Sequence, residues 1–250
     1  MLRYNIRTGV KKIKTKTGVA ISGASLASIG LIMALVMPLA AKATGTYTVF
    51  GSATQQSDGV HLLSDSTTHP YSGATLNLPS GTTVSNLSNL SLDYQVLQGH
   101  CVGGSQRFSV VLPGINRSIF IYVGTSPNFD SCPSGSTGNL ISDADSRVDT
   151  TQIGGTFYDT WANAKTLVGS ETIQSLSLVV DGGWSVTQEF LLTSATVNTT
   201  TYNFVPVPTK DDCKNNGWHT MTDANGKTFK NQGDCVSYFA TNFRNPANGQ

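Results

Sequence analysis

The chain has 250 residues, 16 Lys+Arg against 15 Asp+Glu, and a formal net charge of +1 at pH 7. Seven of the bases and none of the acids fall in residues 1–43, so the other 207 residues hold nine bases, 15 acids and a net charge near −6. That surplus excludes nucleic acid as a partner, because phosphate recognition needs clustered Lys and Arg, and it argues against adhesion to anionic lipid.

The opening segment reads as an export signal. Arg3, Arg7, Lys11, Lys12, Lys14 and Lys16 come first, residues 18–40 carry no charge, and Ala41-Lys42-Ala43 is a small-x-small site. A basic, then apolar, then small-residue order is what a signal peptidase reads. A retained anchor is the alternative, since about twenty uncharged residues span a ~30 Å hydrocarbon core. Ser22, Ser25, Ser28 and Pro38 weaken that span and favour cleavage near Ala43. Residues 1–43 are expected to be a signal peptide and the remainder secreted or cell-surface. Membrane contact is then confined to the N-terminal segment before cleavage.

From residue 44 onward Gly, Ser, Thr and Asn are abundant, and Glu171 and Glu189 are the only glutamates. This is the composition of strands and turns, since helix surfaces favour Lys, Glu, Gln and Ala. Short apolar-alternating runs at residues 46–50, 60–63 and 74–78 are separated by Asp58-Gly59 and Pro70 to Gly73. Residues 90–96 place Leu90, Leu92, Tyr94 and Val96 on one face. Residues 107–112 and 118–123, joined by Pro113-Gly114-Ile115-Asn116, read as a β-hairpin.

Four cysteines in an exported chain read as two disulfides. Cys101 precedes the first hairpin strand and Cys132 follows the second, so antiparallel geometry brings both to the hairpin's open end. The expected pairs are Cys101–Cys132 and Cys213–Cys235.

Residues 128–155 read as a long Ser/Gly/Asp-rich loop. Residues 157–168 hold the one predicted helix of this domain, on the spacing of Phe157, Trp161, Ala164, Leu167 and Val168, with Gly169 ending it. Strands follow at residues 172–181, 187–197 and 200–204. About nine short strands at regular spacing predict a mostly β, jelly-roll-like sandwich with one short helix over residues 44–204.

Val205-Pro206-Val207-Pro208 is a stiff linker. Residues 209–250 are too few for a large core and are predicted to be a small disulfide-stapled C-terminal module built on Trp218, Phe229, Val236 and Phe239. Asp211 or Asp212 is expected to cap a short helix around Cys213, and a second helix is expected from Gly233 toward Ala240.

The module carries Lys210, Asp211, Cys213, Lys214, Gly217 and Trp218, then Phe229, Lys230, Asn231, Gln232, Gly233, Cys235 and Val236. This resembles a cysteine motif, K-D-x-C-K-x-x-G-W followed by F-K-N-Q-G-x-C-V, at the C-terminus of many exported bacterial proteins. The preceding domain resembles the uncharacterised exported β-sandwich proteins that carry such a tail. The resemblance implies compartment and architecture and supplies no catalytic residue. Ligand-binding jelly rolls often carry an Asp-Asn pair for calcium on the last long strand, where this chain has Thr193-Ser194, so no metal and no cofactor is predicted.

Catalytic chemistry finds little support. His61, His69, His100 and His219 are scattered, and no G-x-S-x-G elbow occurs. Glycoside hydrolysis needs two carboxylates, and Asp181 with Glu189 is the one conceivable pair. Asp143, Asp145 and Asp149 alternate as in a cation loop but lack the Gly and terminal Glu of an EF-hand. Aromatic rings suit sugar stacking, which singles out Trp184 beside Gly182-Gly183, with Tyr122 and Trp161, and with Asp181 as a polar neighbour. The leading expectation is a non-catalytic interaction module for a polysaccharide or a cell-surface protein. A secreted glycan-active hydrolase or lyase and a structural cell-envelope component are the alternatives.

Overall fold

The computed structural model describes residues 44–142, 146–182 and 186–248. Residues 1–43, where a leader and its cleavage site are expected, Asp143 to Asp145, and Trp184 with its two neighbours lie outside the described residues.

Alternation of apolar and polar side chains builds two antiparallel sheets. The strands are β1 (Tyr47–Gly51), β2 (Thr54–Gln56), β3 (Gly59–Ser64), β4 (Tyr71–Leu76), β5 (Leu90–Gln98), β6 (Arg107–Val111) and β7 (Ser118–Tyr122). They continue with β8 (Gly135–Ser136), β9 (Val148–Asp149), β10 (Ser175–Asp181), β11 (Gln188–Val197) and β12 (Thr200–Asn203). One sheet runs β1-β4-β10-β6-β7-β9, and the other β2-β3-β11-β5-β8 with β12 also on β11. The order β4-β10-β6-β7 is matched by β3-β11-β5-β8, so β3→β4, β5→β6, β7→β8 and β10→β11 each pass from one sheet to the other. That winding is a jelly roll.

Leu176, Leu178 and Val180 of β10, Phe108 and Val110 of β6, Ile119 and Ile121 of β7, and Phe190 and Leu192 of β11 fill the space between the sheets. Their odd-numbered or even-numbered neighbours face outward, because successive strand side chains alternate. The expected hairpin pairs Arg107 with Tyr122 and Val111 with Ser118. Both expected disulfides, Cys101–Cys132 and Cys213–Cys235, are formed.

The long loop expected at residues 128–155 also contributes β8, β9 and a 3-10 turn at Thr151–Ile153. The two strands are two residues each, too short to show alternation, and exist because β5 and β7 offer open edges. β2 is an unexpected edge strand for the same reason.

Helix α1 is Trp161–Val168, four residues shorter than the predicted segment. Thr160 is extended at φ −110° and its hydroxyl accepts the Asn163 amide at 3.2 Å, which caps the helix there. Just before it, Asp159 exchanges two backbone hydrogen bonds with Val148. Phe157 and Tyr158 are thereby left outside the helix. The other end of α1 leads to the turn at Val84–Asn86, where Ser85 N–H donates to the Gly169 carbonyl and Trp161 Nε1–H to the Leu87 carbonyl.

The C-terminal module has its own small core of Cys213, Phe229, Cys235, Tyr238 and Ala247. Trp218, Val236 and Phe239 are only partly buried against it, while Tyr238, unnoticed in the sequence, is central. Tyr238 lies one helical turn from Cys235 on α2 (Gln232–Ala240), and its Oη accepts the Ala224 amide at 2.8 Å. Asn231 caps α2 by accepting the Asp234 amide. No helix forms around Cys213: Asp212 turns back to accept Thr209 N–H and Oγ1–H, and Asn215 and Asn216 adopt φ of 51° and 67°. A left-handed pair cannot continue a right-handed helix.

Candidate functional site: an aromatic cleft beside the Cys101–Cys132 loop

The side chains singled out in the sequence do not converge. Asp181 faces outward from β10 and is gripped by Arg107, whose Nη1 and Nη2 donate to its two oxygens at 2.9 and 2.6 Å. The same guanidinium lies 4.9 Å above the Phe120 ring. Glu189 faces outward from β11, in the opposite sheet, and accepts from His61 Nδ1 at 2.9 Å. Stacked sheets are about 10 Å apart, and side chains on their two outer faces diverge further. Asp181 and Glu189 therefore do not form a catalytic pair.

Trp161 is 1% exposed and packed in the sandwich core, so it presents no ring to a ligand. Tyr122 is 6% exposed. Its outer position on β7 is covered by Phe129, stacked at 4.1 Å between centroids, and its Oη–H donates to Asp149 at 3.3 Å. Burial pushes the Tyr122 hydroxyl well above the usual tyrosine range, with the Asp149 charge adding to it. Trp184 lies outside the described residues.

Metal chemistry gains no centre either: among the described residues no three His, Cys, Asp or Glu cluster. Asp149 is engaged by Thr151 N–H at 2.9 Å and Thr151 Oγ1–H at 2.6 Å. Ser194 donates to Asp93 at 2.6 Å in the place where a calcium pair was considered.

The outer cover of Tyr122 leads to a cleft of about 560 Å³ that sequence reasoning missed. It is lined by His100, Val102, Gly103 and Gly104 on one side, Asn128, Phe129 and Asp130 on the second, and Phe157 with Tyr158 on the third. The first two sides are the stretches next to Cys101 and Cys132, so that disulfide fixes their separation. Gly104 is required at its place: at φ +84°, a Cβ there would sit 2.4 Å from the Tyr122 ring.

Phe129 forms the floor at 1% exposure, while Phe157 and Tyr158 are 43% and 48% exposed. The rings are one connected array. Phe129 lies 5.6 Å from Phe157 and 5.5 Å from Tyr158, and Phe157 meets Tyr158 edge-on at 4.9 Å. Most large apolar side chains of the sandwich are interior, so two neighbouring half-exposed rings walling a concavity stand out from the rest of its surface. A helix starting at Trp161 rather than residue 157 is what makes these walls. The signal was present in Thr160, a strong N-cap residue directly before Trp161.

Two carboxylates stand behind the rings. Asp149 holds the Tyr122 hydroxyl, and Asp159, next to Tyr158, accepts from Thr150 Oγ1, from Asn163 Nδ2 at 2.7 Å and from Thr160 N–H at 2.7 Å. Burial works against the Asp159 charge, but these hydrogen bonds outweigh it and hold the carboxyl below the usual range.

No family model, curated protein or solved structure matches this chain.

Proposed function

We propose that the protein is an extracellular, non-catalytic binding module whose aromatic cleft takes a carbohydrate. The observation that carries this reading is the pair of half-exposed rings, Phe157 and Tyr158, standing over the buried Phe129. Pyranose rings offer an apolar C–H face that stacks on such walls, while His100, Asn128 and Asp130 supply polar partners for hydroxyls. A volume of about 560 Å³ is in the range of small-ligand sites. Two buried disulfides are compatible with an extracellular location, where such bonds persist. No helix among the described residues is long and apolar enough to cross a membrane.

The test is a glycan array probed with oxidised protein and with a Phe157→Ala/Tyr158→Ala variant. Saturable binding to one glycan class, lost in the variant and without reducing-sugar release, supports the reading. Binding that survives the double substitution, or a blank array with folded protein, contradicts it and returns weight to a protein partner or a structural envelope role.

A further inference from the structure

The charge around the cleft is uneven in a way that bears on its ligand, and the inference rests on the carbohydrate reading above. Asp130 lines the rim. Asp149 and Asp159 stand behind the ring array, 6% and 8% exposed. Every hydrogen bond described for those two comes from a hydroxyl, an amide or a backbone N–H, and none from Lys or Arg. Neutral donors stabilise a carboxylate while leaving its net charge in place.

The cations near the rings do not offset this. Arg107 is matched by Asp181 in a two-pronged pair. Arg147 donates to the carbonyls of Val123 and Tyr122 at 2.9 and 3.4 Å. The cleft therefore combines ring faces, which carry negative quadrupole potential, with carboxylates of the same sign behind and beside them. Both attract cations, and partial desolvation between the rings strengthens the attraction.

We infer that the cleft selects a sugar bearing a protonated amine, so that the C–H face of the ring stacks on Phe157 and Tyr158 while the ammonium is directed to Asp130 and the field of Asp149 and Asp159. Anionic glycans are rejected by the same field. Neutral glycans bind through stacking and hydroxyl contacts without the ammonium attraction, with lower affinity.

The experiment is a calorimetric titration of the oxidised protein with a β-1,4-linked glucosamine tetramer and, separately, with its fully N-acetylated counterpart. The amine form is expected to bind about tenfold tighter at low salt, a preference that shrinks as added salt screens it. Asp130→Asn, an exposed substitution that leaves Asp149 and Asp159 in place, is expected to reduce that preference several-fold by weakening the amine tetramer more than the acetylated one. Equal affinities for the two tetramers, or a preference for the acetylated one, overturn the amine inference and leave the carbohydrate reading standing. If neither tetramer binds while another glycan does on the array, the inference falls alone. If no glycan binds at all, both fall.

Discussion

Two aromatic clusters in this chain have similar membership and opposite consequences. Tyr122, Phe129, Phe157 and Tyr158 gather on the outside of a sheet whose inner face already has a complete core. Phe229, Tyr238 and Phe239 gather in a module whose small core otherwise holds one disulfide and Ala247, with Trp218, Met221 and Val236 partly buried against it. Ring number and ring contacts do not separate binding from stability. What separates them is whether a core exists without the rings.

The comparison breaks first, and most severely, at Phe229. Phe229→Ala removes a ring that is 4% exposed in a core of five buried residues, so a loss of about 3–5 kcal/mol confined to the module is expected. Amide hydrogen exchange reads it: protection should vanish from α2 and persist in β5 and β11. Loss of protection throughout would show that the sandwich depends on the module.

The two disulfides sharpen the same contrast. Replacing Cys213 and Cys235 by Ser should cost roughly 2–5 kcal/mol and leave the module unfolded and protease-sensitive. Replacing Cys101 and Cys132 by Ser should leave a folded sandwich with a lower Tm, since the large core remains, but should weaken ligand binding by loosening two sides of the cleft. Limited proteolysis with mass mapping distinguishes the outcomes.

Tyr158→Ala is the mirror of Phe229→Ala. A half-exposed ring outside the core should change stability by no more than about 0.5 kcal/mol, as surface substitutions do, while binding falls. Thermal melts alongside the array separate these readouts.

The smallest effect is electrostatic and lies away from both clusters. His61 sits between Glu189 and Asp58, at 2.9 and 3.1 Å. Burial alone would lower its pKa, but the two carboxylates outweigh that and hold it above the usual 6.5. A raised folded-state value means the stabilisation is fully present below the unfolded pKa and is lost as pH rises through the folded one. The Tm advantage of the natural protein over His61→Gln should therefore shrink as pH rises above the usual histidine range, with no change in ligand affinity. An advantage that grows with pH would contradict the assignment.

Much of the sandwich was legible in the sequence because its long strands alternate. Leu90, Leu92 and Tyr94, or Leu176, Leu178 and Val180, declare one buried face within a few residues. The Cys101–Cys132 pairing followed from hairpin geometry, and Cys213–Cys235 from sequence proximity. β2, β8 and β9 were not legible, since two or three residues carry no period and owe their form to open edges elsewhere in the chain. The candidate site failed for a related reason. Phe157 fits the helical spacing of Trp161, Ala164 and Val168, and the Thr160 cap together with the non-local pairing of Asp159 with Val148 removes it from the helix. Asp181 and Glu189 were avoidable: each is out of phase with its strand's core residues, which already places both on outer faces.

The most direct test of the central claim is a residue-resolved NMR titration of the protein with the glycan that scores on the array. The account predicts chemical-shift changes concentrated at His100, Asn128 to Asp130, Phe157 and Tyr158, with β1, β12 and the C-terminal module unmoved. Changes centred on the C-terminal module, or on the outer face around His61 and Glu189, would show that the aromatic cleft is not the binding site.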